Sequence, residues 1–159
     1  MTEYSLAFRK DFDPKMIDVY TDGSYSNQAK VGAWAVWSKD FIDSGVLPYK
    51  SSSGYCEMYA VYEALMYTRF GYDIVNIHTD STYVIIHCER KIYEYADNNW
   101  RHSKNRKIKN LELLKEVYFL LKDMDVRFYK VKSHKDKHNI FVDKLANRKQ
   151  REWRYWNER

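Results

Sequence analysis

The chain has 159 residues, of which 45% are hydrophobic and 31% are charged. This length and balance predict one folded domain rather than a disordered segment, and no stretch approaches the roughly 20 apolar residues of a membrane span. Two cysteines cannot make a disulfide framework, and the N-terminus lacks the apolar core of a secretory signal. We therefore expect a monomeric protein of the cytoplasm, or of another reducing compartment inside the cell, without a membrane partner.

The charge of the chain is basic and unevenly distributed. Lys and Arg total 27 against 22 Asp and Glu, which gives a net charge of +5. Residues 100–109 hold five Lys or Arg and no acid, and residues 148–159 mix basic side chains with Trp153, Tyr155 and Trp156. Basic and aromatic side chains together are typical of nucleic-acid binding, because they suit phosphates and bases respectively. A solvated surface is the alternative interpretation.

The first half of the chain predicts three strands followed by a helix. Runs rich in β-branched and aromatic residues predict strands at residues 16–21, 31–38 and 41–49, and these could form an antiparallel meander. Residues 56–70 predict a helix because Met58, Val61 and Leu65 recur at helical spacing. Gly71 suits the C-terminal end of that helix.

The second half predicts two more strands and several helices. The strands are expected at residues 73–79 and 125–131, and the helices at 81–89, 110–122 and from 140 onward, with a short one near 92–96. Ser81 is the expected N-cap of its helix. The order βββαβα…αβα predicts a mixed sheet with helices packed on it, forming a single domain over residues 16–159 after a short charged arm at residues 1–15.

Four acidic residues stand where predicted elements begin or end. Asp22 closes the first strand and Asp80 follows the fourth, while Glu57 and Asp143 fall in the first turns of two helices. If the first and fourth strands are parallel neighbours, Asp22 and Asp80 emerge side by side at the edge where sites gather in α/β sheets. The two helix starts can direct their carboxylates to the same point.

Such a carboxylate cluster is chemically suited to divalent cations. Like charges raise one another's pKa, and a cation is their natural neutraliser. Hard oxygen ligands favour Mg²⁺ or Mn²⁺, and a pair of such ions can activate a water and stabilise a leaving oxygen on phosphorus. Taken one at a time, each acid could instead be a turn residue or an acid that favours a helix N-terminus.

Four segments of the sequence, in this order, resemble ribonuclease H of type 1. They are DVYTDGSYS, CEMYAVYEAL, IHTDSTYVI and VKSHKDKHNIFVDKLA. In that family the first strand ends in Asp-Gly-Ser, a Glu opens the first helix, the fourth strand ends in Thr-Asp-Ser, and a His loop leads to an Asp in the last helix. The resemblance covers residues 16–150 and implies an α/β ribonuclease H-like fold, a five-stranded mixed sheet in βββαβαβα order flanked by helices.

The resemblance also implies an activity and a role for each acid. The family hydrolyses the RNA strand of RNA–DNA hybrids with two Mg²⁺ ions, for which Mn²⁺ can substitute, and leaves 5′-phosphate and 3′-hydroxyl ends. By this resemblance Asp22 and Asp80 would contact both ions, while Glu57 and Asp143 would each complete one site. His134, in a loop that is mobile in the family, would assist proton transfer or product release.

Contacts with the hybrid follow from the resemblance where the residues match. A basic protrusion would hold the DNA strand through Trp100, Arg101, Lys104, Arg106 and Lys107. A pocket for a DNA phosphate would consist of Lys50, Ser52 and Asn110, and Asn139 would lie near the RNA strand. Asn110 and Asn139 could instead be plain helix caps.

Three other functions fit parts of the same pattern. They are another metal-dependent nuclease of this fold that acts on junctions or DNA, a non-catalytic module that binds hybrids, and a domain cut from a reverse transcriptase. A non-catalytic module should have lost at least one carboxylate, whereas all four are present. The basic protrusion and the His134 loop favour the enzyme that acts on hybrids.

Overall fold

The computed structural model describes residues 13–158, so most of the predicted arm at residues 1–15 lies outside the described residues. Its centre is a five-stranded sheet of order β3-β2-β1-β4-β5. The strands are β1 (Met16–Ser26), β2 (Val31–Trp37), β3 (Ile42–Leu47), β4 (Ile74–Thr79) and β5 (Val126–Lys130). The first three pair antiparallel, whereas β4 is parallel to β1 and β5 is parallel to β4. The predicted meander, mixed sheet and fold class are therefore confirmed.

Helices cover both faces of the sheet. They are α1 (Ser53–Thr68), α2 (Thr82–Ile86), α3 (Ile92–Asp97), α4 (Leu111–Leu121) and α5 (Lys137–Asn157), and a π-helical turn (His87–Lys91) joins α2 to α3. The main core lies between the sheet and the layer of α1 and α4, and α5 packs on the other face over β1, β2 and β3. Among the described residues, no helix combines the length and apolarity that crossing a membrane requires.

The helical core follows the spacing of apolar residues in the sequence. Met58, Val61 and Leu65 of α1 are fully buried, as their spacing predicts. After β4 the short helix predicted near residues 92–96 is confirmed as α3, but the π-helical turn joins it to α2 without the predicted break. Buried Cys88 and Ile92, four residues apart, continue one apolar face across this junction.

The first strand is longer than predicted, and this moves the first acid. β1 pairs with β2 as far as Ser26, opposite Val31. Asp22 therefore lies inside the strand, opposite Ala35, and not at its end as predicted. Asp-Gly-Ser looks like a turn signal, but the ladder to β2 keeps the backbone extended through it.

Two helices begin earlier than predicted, because their N-caps lie upstream. Ser52 accepts a hydrogen bond from the backbone N–H of Tyr55, and α1 begins at Ser53. Asp136 caps α5, which begins at Lys137. The placement of Glu57 and Asp143 in first turns was therefore wrong, because each lies in the second turn of its helix.

Candidate active site

Three of the predicted carboxylates meet at one edge of the sheet. One oxygen from each of Asp22, Glu57 and Asp80 lies within 4.8 Å of the others. The parallel pairing of β1 with β4 brings the two aspartates together, as the sequence predicted. The packing of α1 over β1 adds the glutamate from the helix layer.

A glycine permits this close approach of helix and strand. A Cβ atom at Gly23 would lie 2.4 Å from the carbonyl carbon of Cys56 and 2.4 Å from the backbone nitrogen of Glu57. Both are backbone atoms, which cannot rotate away as a side chain can. Gly23 therefore sets the distance between the Asp22 strand and the Glu57 helix.

Asp22 is the most buried acid of the cluster, with 5% of its surface exposed. Burial, together with the charge of Asp80 and the adjacent Asp143, raises the pKa of the Asp22 carboxyl to about 9. The pKa of Glu57 is also raised, mainly by burial, although a hydrogen bond from Ser81 opposes the shift. The site thus holds carboxylates that ionise with difficulty when no cation is bound.

Serine hydroxyls orient two of these carboxylates. The Ser81 hydroxyl donates to Glu57 Oε2 at 2.6 Å and also accepts from the backbone N–H of Val84, which confirms Ser81 as an N-cap. The Ser133 hydroxyl donates to Asp80 Oδ2 at 3.0 Å. The oxygen atoms of the cluster are therefore held in place by neighbours as well as by the backbone.

A polar network positions the fourth acid, Asp143, which the structure places against Asp22. The Asn147 amide donates to Asp143 Oδ1 at 3.3 Å, one helical turn further along α5. Ser24 of β1 donates to Asn147 Oδ1 at 2.6 Å, and the Gln150 amide donates to Ser24 at 2.9 Å. This chain ties α5 to β1 beside the metal-ligand candidates.

His134 lies in a loop at the rim of the cluster, as predicted. Its backbone has a φ of 61° and its side chain is 73% exposed. The ring Nδ1 is 4.0 Å from Asp143 Oδ2. The backbone N–H of His134 donates to Asn139 Oδ1 at 3.2 Å, which fixes the loop to the start of α5.

The structure places the predicted substrate contacts in different settings. Asn139 is 1% exposed and holds the His134 loop, so in this conformation its side chain faces the protein interior. Asn110 makes no side-chain cap, because its amide donates to the Tyr83 hydroxyl at 2.9 Å. Lys50 is exposed, and Ser52 caps α1. Their roles toward a substrate stay predictions.

The basic protrusion is the loop between α3 and α4, residues 98–110, here called the basic loop. Its predicted cations Arg101, Lys104, Arg106 and Lys107 are all exposed. Trp100 is half-buried, and its ring packs edge-on against Tyr118 at 5.3 Å between centroids. The tryptophan therefore anchors the loop to α4, while the cations point to solvent.

Sequence reasoning missed the residues that orient the carboxylates. Ser24, Ser133 and Asn147 were not singled out, although two of them carry a weak signal. Ser24 is two positions from Asp22, on the same face of a strand, and Asn147 is four positions from Asp143, on the same face of a helix. Spacing alone does not show that these two faces meet.

The residues present suit a divalent metal. The donors are carboxylate oxygens, the ligands that Mg²⁺ and Mn²⁺ prefer. Burial, Asp80 and Asp143 all raise the pKa of the Asp22 carboxyl, so negative charge accumulates here at a cost. A cation would therefore relieve the electrostatic strain of the cluster.

Comparison with known proteins agrees with this fold. The family model for RNase H matches residues 14–151. The chain belongs to the RNase H family. It is therefore an enzyme of the ribonuclease H type, a family that hydrolyses the RNA strand of RNA–DNA hybrids. The three clustered carboxylates and Asp143 all fall inside the matched region.

Relatives in sequence support this assignment. The chain is 32% identical over 139 residues to the ribonuclease H of Rickettsia typhi, covering 84% of this chain and 90% of that one. It is 30% identical over 141 residues to the ribonuclease H of Wolbachia pipientis wMel, covering 84% and 94% of the two chains.

Two solved structures share the fold. The crystal structure of LC9-RNase H1, a type 1 RNase H with the type 2 active-site motif, has a TM-score of 0.73 at 19% identity, with 90% of this chain and 75% of that chain covered. A foamy viral protease-reverse transcriptase in complex with RNA/DNA hybrid has a TM-score of 0.66 at 22% identity, with 89% and 22% covered. At these identities the similarity is one of fold.

Proposed function

We propose that this ribonuclease H is an endonuclease that uses two Mg²⁺ ions to cut the RNA strand of RNA–DNA hybrids. In this proposal Asp22, Glu57, Asp80 and Asp143 hold the ions, and the products carry 5′-phosphate and 3′-hydroxyl ends. The single observation that carries the proposal is the convergence of the carboxylates around buried Asp22. Buried acids with perturbed pKa values in such a cluster are typical of functional sites.

The protein's own part in the reaction is to hold and orient the carboxylates. When bound, the two ions would supply an activated water and stabilise the leaving oxygen on phosphorus. Hydrogen bonds from Ser81 and Ser133 fix the carboxylates of Glu57 and Asp80, so little rearrangement is needed when substrate arrives. Burial of Asp22 keeps bulk water away from one side of the site.

In the proposed reaction, His134 moves a proton at the edge of the site. Its ring is exposed and lies 4.0 Å from Asp143, within reach of a water or product oxygen held there. Histidine is the side chain that most often serves as a general acid or base, and this chemistry suits the departure of a hydroxyl product. The tie between the His134 backbone and Asn139 keeps the ring beside Asp143.

The charge of the surface supports a nucleic-acid duplex as substrate. The basic loop presents four exposed cations beyond α3, and phosphates pair with such side chains. A foamy viral relative in fold is in complex with an RNA/DNA hybrid, and this supports the same substrate class here. Lys50, Ser52 and Asn110 are proposed to bind a phosphate of the DNA strand, and Asn139 to lie near the RNA strand.

The test is cleavage of labelled substrates by the full chain and by two matched variants. The substrates are RNA–DNA hybrid, double-stranded RNA, double-stranded DNA and single-stranded RNA, each with and without Mg²⁺. Asp80→Asn keeps the size of the side chain but removes the charge that holds a cation. We expect it to lower hybrid cleavage by more than about a thousandfold, because metal ions contribute several kcal/mol to such reactions.

Asp123→Asn is the matched control, because Asp123 is an exposed acid in the turn between α4 and β5. We expect it to cleave hybrid like the wild type. Cleavage of DNA duplexes in preference to hybrid would instead assign the site to a DNA nuclease. Binding of hybrid without cleavage in Mg²⁺ or Mn²⁺ would identify a non-catalytic module.

A further inference from the structure

One side of α5 carries a row of basic side chains that starts beside Asp143. Its members are Lys144, Arg148, Arg151 and Arg154, with Tyr155 at the far end, and we call these five residues the α5 track. All except Arg154 are exposed, and Arg154 is half-buried. Their spacing of three or four residues places them along one side of the helix.

The α5 track is continuous with the carboxylate site. Two shallow grooves run along it, and both are lined by Arg151 and Arg154. The groove nearer the site is also lined by Asn147, whose amide bonds Asp143 at 3.3 Å. The farther groove is lined by Tyr155. A bound strand could therefore pass from the carboxylates along the helix without crossing another element.

Ion pairs occupy two of the four cations on the track. Arg148 and Arg154 each pair with the glutamate four residues later, at 2.8 and 3.6 Å. Lys144 and Arg151 take part in none of the ion pairs among residues 13–158. These two side chains are available to bind phosphates. A nucleic-acid phosphate releases its bound salt cation when a Lys or Arg side chain takes that place.

The far end of the track presents aromatic surface. Tyr155 is 52% exposed, and its ring meets that of Trp156 edge-on at 5.2 Å between centroids. Lys144 and Tyr155 are eleven positions apart in the helix, so the track is about 16 Å long. That length equals about five steps of a nucleic-acid strand at roughly 3.4 Å each, which would place a base or the end of a duplex at Tyr155.

We propose that the α5 track binds the strand of nucleic acid that extends beyond the carboxylate site, with Arg151 on a phosphate and Tyr155 stacked on a base. The proposal rests on the proposed function only for the identity of the duplex. An anionic membrane is the rival partner for a basic helix. It is disfavoured because the apolar side of α5, which includes Val142 and Ala146, is buried against the sheet, whereas a membrane-surface helix needs that side free.

The test measures hybrid binding by fluorescence anisotropy across a salt series. All proteins carry Asp80→Asn so that binding is observed without cleavage. The logarithm of the binding constant falls linearly with the logarithm of the salt concentration. Arg151→Ala should make this slope shallower by just under one unit, because one phosphate contact is lost. Tyr155→Ala should weaken binding about fivefold or more with an unchanged slope, and Tyr155→Phe should restore the affinity because it keeps the ring.

Lys39→Ala is the control for net charge. Lys39 is exposed in the turn between β2 and β3, at the end of the sheet opposite the carboxylates, so its loss should leave the slope unchanged. The proposal is overturned if the Arg151 and Tyr155 variants bind hybrid like the Lys39 variant. It is also overturned if they lose binding to phosphatidylserine vesicles while hybrid affinity stays the same.

Failure of the proposed function would show in a different measurement. If the wild-type chain does not cut hybrid in the cleavage assay, the catalytic proposal fails, whereas the α5 track is judged by binding alone. If cleavage is normal and the variants bind normally, only the track is wrong.

Discussion

Gly23→Ala tests whether the close approach of β1 and α1 sets the geometry of the carboxylates. The added Cβ would lie 2.4 Å from two backbone atoms, whereas ordinary contact begins at 3.4 Å. The strand and helix must therefore separate by about 1 Å, which moves Glu57 away from Asp22. Mg²⁺ requires oxygen ligands at about 2.0–2.1 Å in near-ideal geometry, so a shift of this size removes a ligand.

Gly23→Ala is expected to lower both the stability and the cleavage rate, and the two losses can be measured separately. Overpacking of this kind costs about 1–3 kcal/mol of unfolding free energy, which corresponds to a melting temperature lower by roughly 2–12 °C. A displacement of about 1 Å at a catalytic group can lower the rate about a hundredfold. Thermal unfolding measured by circular dichroism and hybrid cleavage over a Mg²⁺ titration give the two values.

Gly71→Ala is the matched control. Gly71 has a φ of 93° and open space where a Cβ would be, so an alanine there is strained without contacting anything. It precedes β4, about 20 Å from the end of that strand where Asp80 lies. We expect a similar loss of stability with normal cleavage. Equal loss of cleavage in both variants, or full activity of Gly23→Ala, would refute the reasoning.

Three further predictions concern protonation, the loop histidine and the basic loop. Because the pKa of Asp22 is raised to about 9, the folded metal-free protein retains a proton that the unfolded chain releases above about pH 4, so unfolding free energy should fall as pH rises through this window. Chemical denaturation at pH 5, 7 and 9 should show this fall in unfolding free energy. Mg²⁺ should restore most of the stability at high pH, and Asp22→Asn should make the unfolding free energy less dependent on pH. An unfolding free energy of the wild-type chain that does not change with pH contradicts the prediction. His134→Ala should slow single-turnover cleavage by about 10²- to 10⁴-fold, and a variant as inactive as Asp80→Asn would make the histidine a ligand or a structural residue. Joint replacement by Ala of the four exposed cations of the basic loop should raise the Kd for hybrid and flatten its salt slope by up to about four units in binding titrations, whereas an unchanged slope would mean that phosphates are held elsewhere.

The fold could be predicted from the sequence where apolar residues recur at one short, regular spacing. The apolar spacing of Met58, Val61 and Leu65 identified α1, and all three residues are buried. The boundaries were less accurate, because they depend on partners outside the segment. Asp22 was placed at a strand end, yet pairing with β2 extends that strand to Ser26.

The sequence could predict which acidic residues form the candidate site, but not the hydrogen bonds that position them. Motif order identified Asp22 and Asp143, and in the fold Asp143 helps to raise the pKa of Asp22. The hydrogen bonds that position Asp143 join residues far apart in the chain. Ser24 and Asn147 are 123 positions apart, so nothing in local sequence pairs them.

The sequence by itself determined which donors this protein has and on which elements they lie. Four carboxylates, a basic loop and a basic C-terminal helix are chemical facts of the chain, and hydrophobic spacing assigns them to strands, helices and loops. Only the tertiary structure decided their distances, their burial and therefore their protonation. The raised pKa of Asp22 needs β4 and α5 packed beside β1, because burial and the charges of neighbouring acids exist only once those elements are in contact.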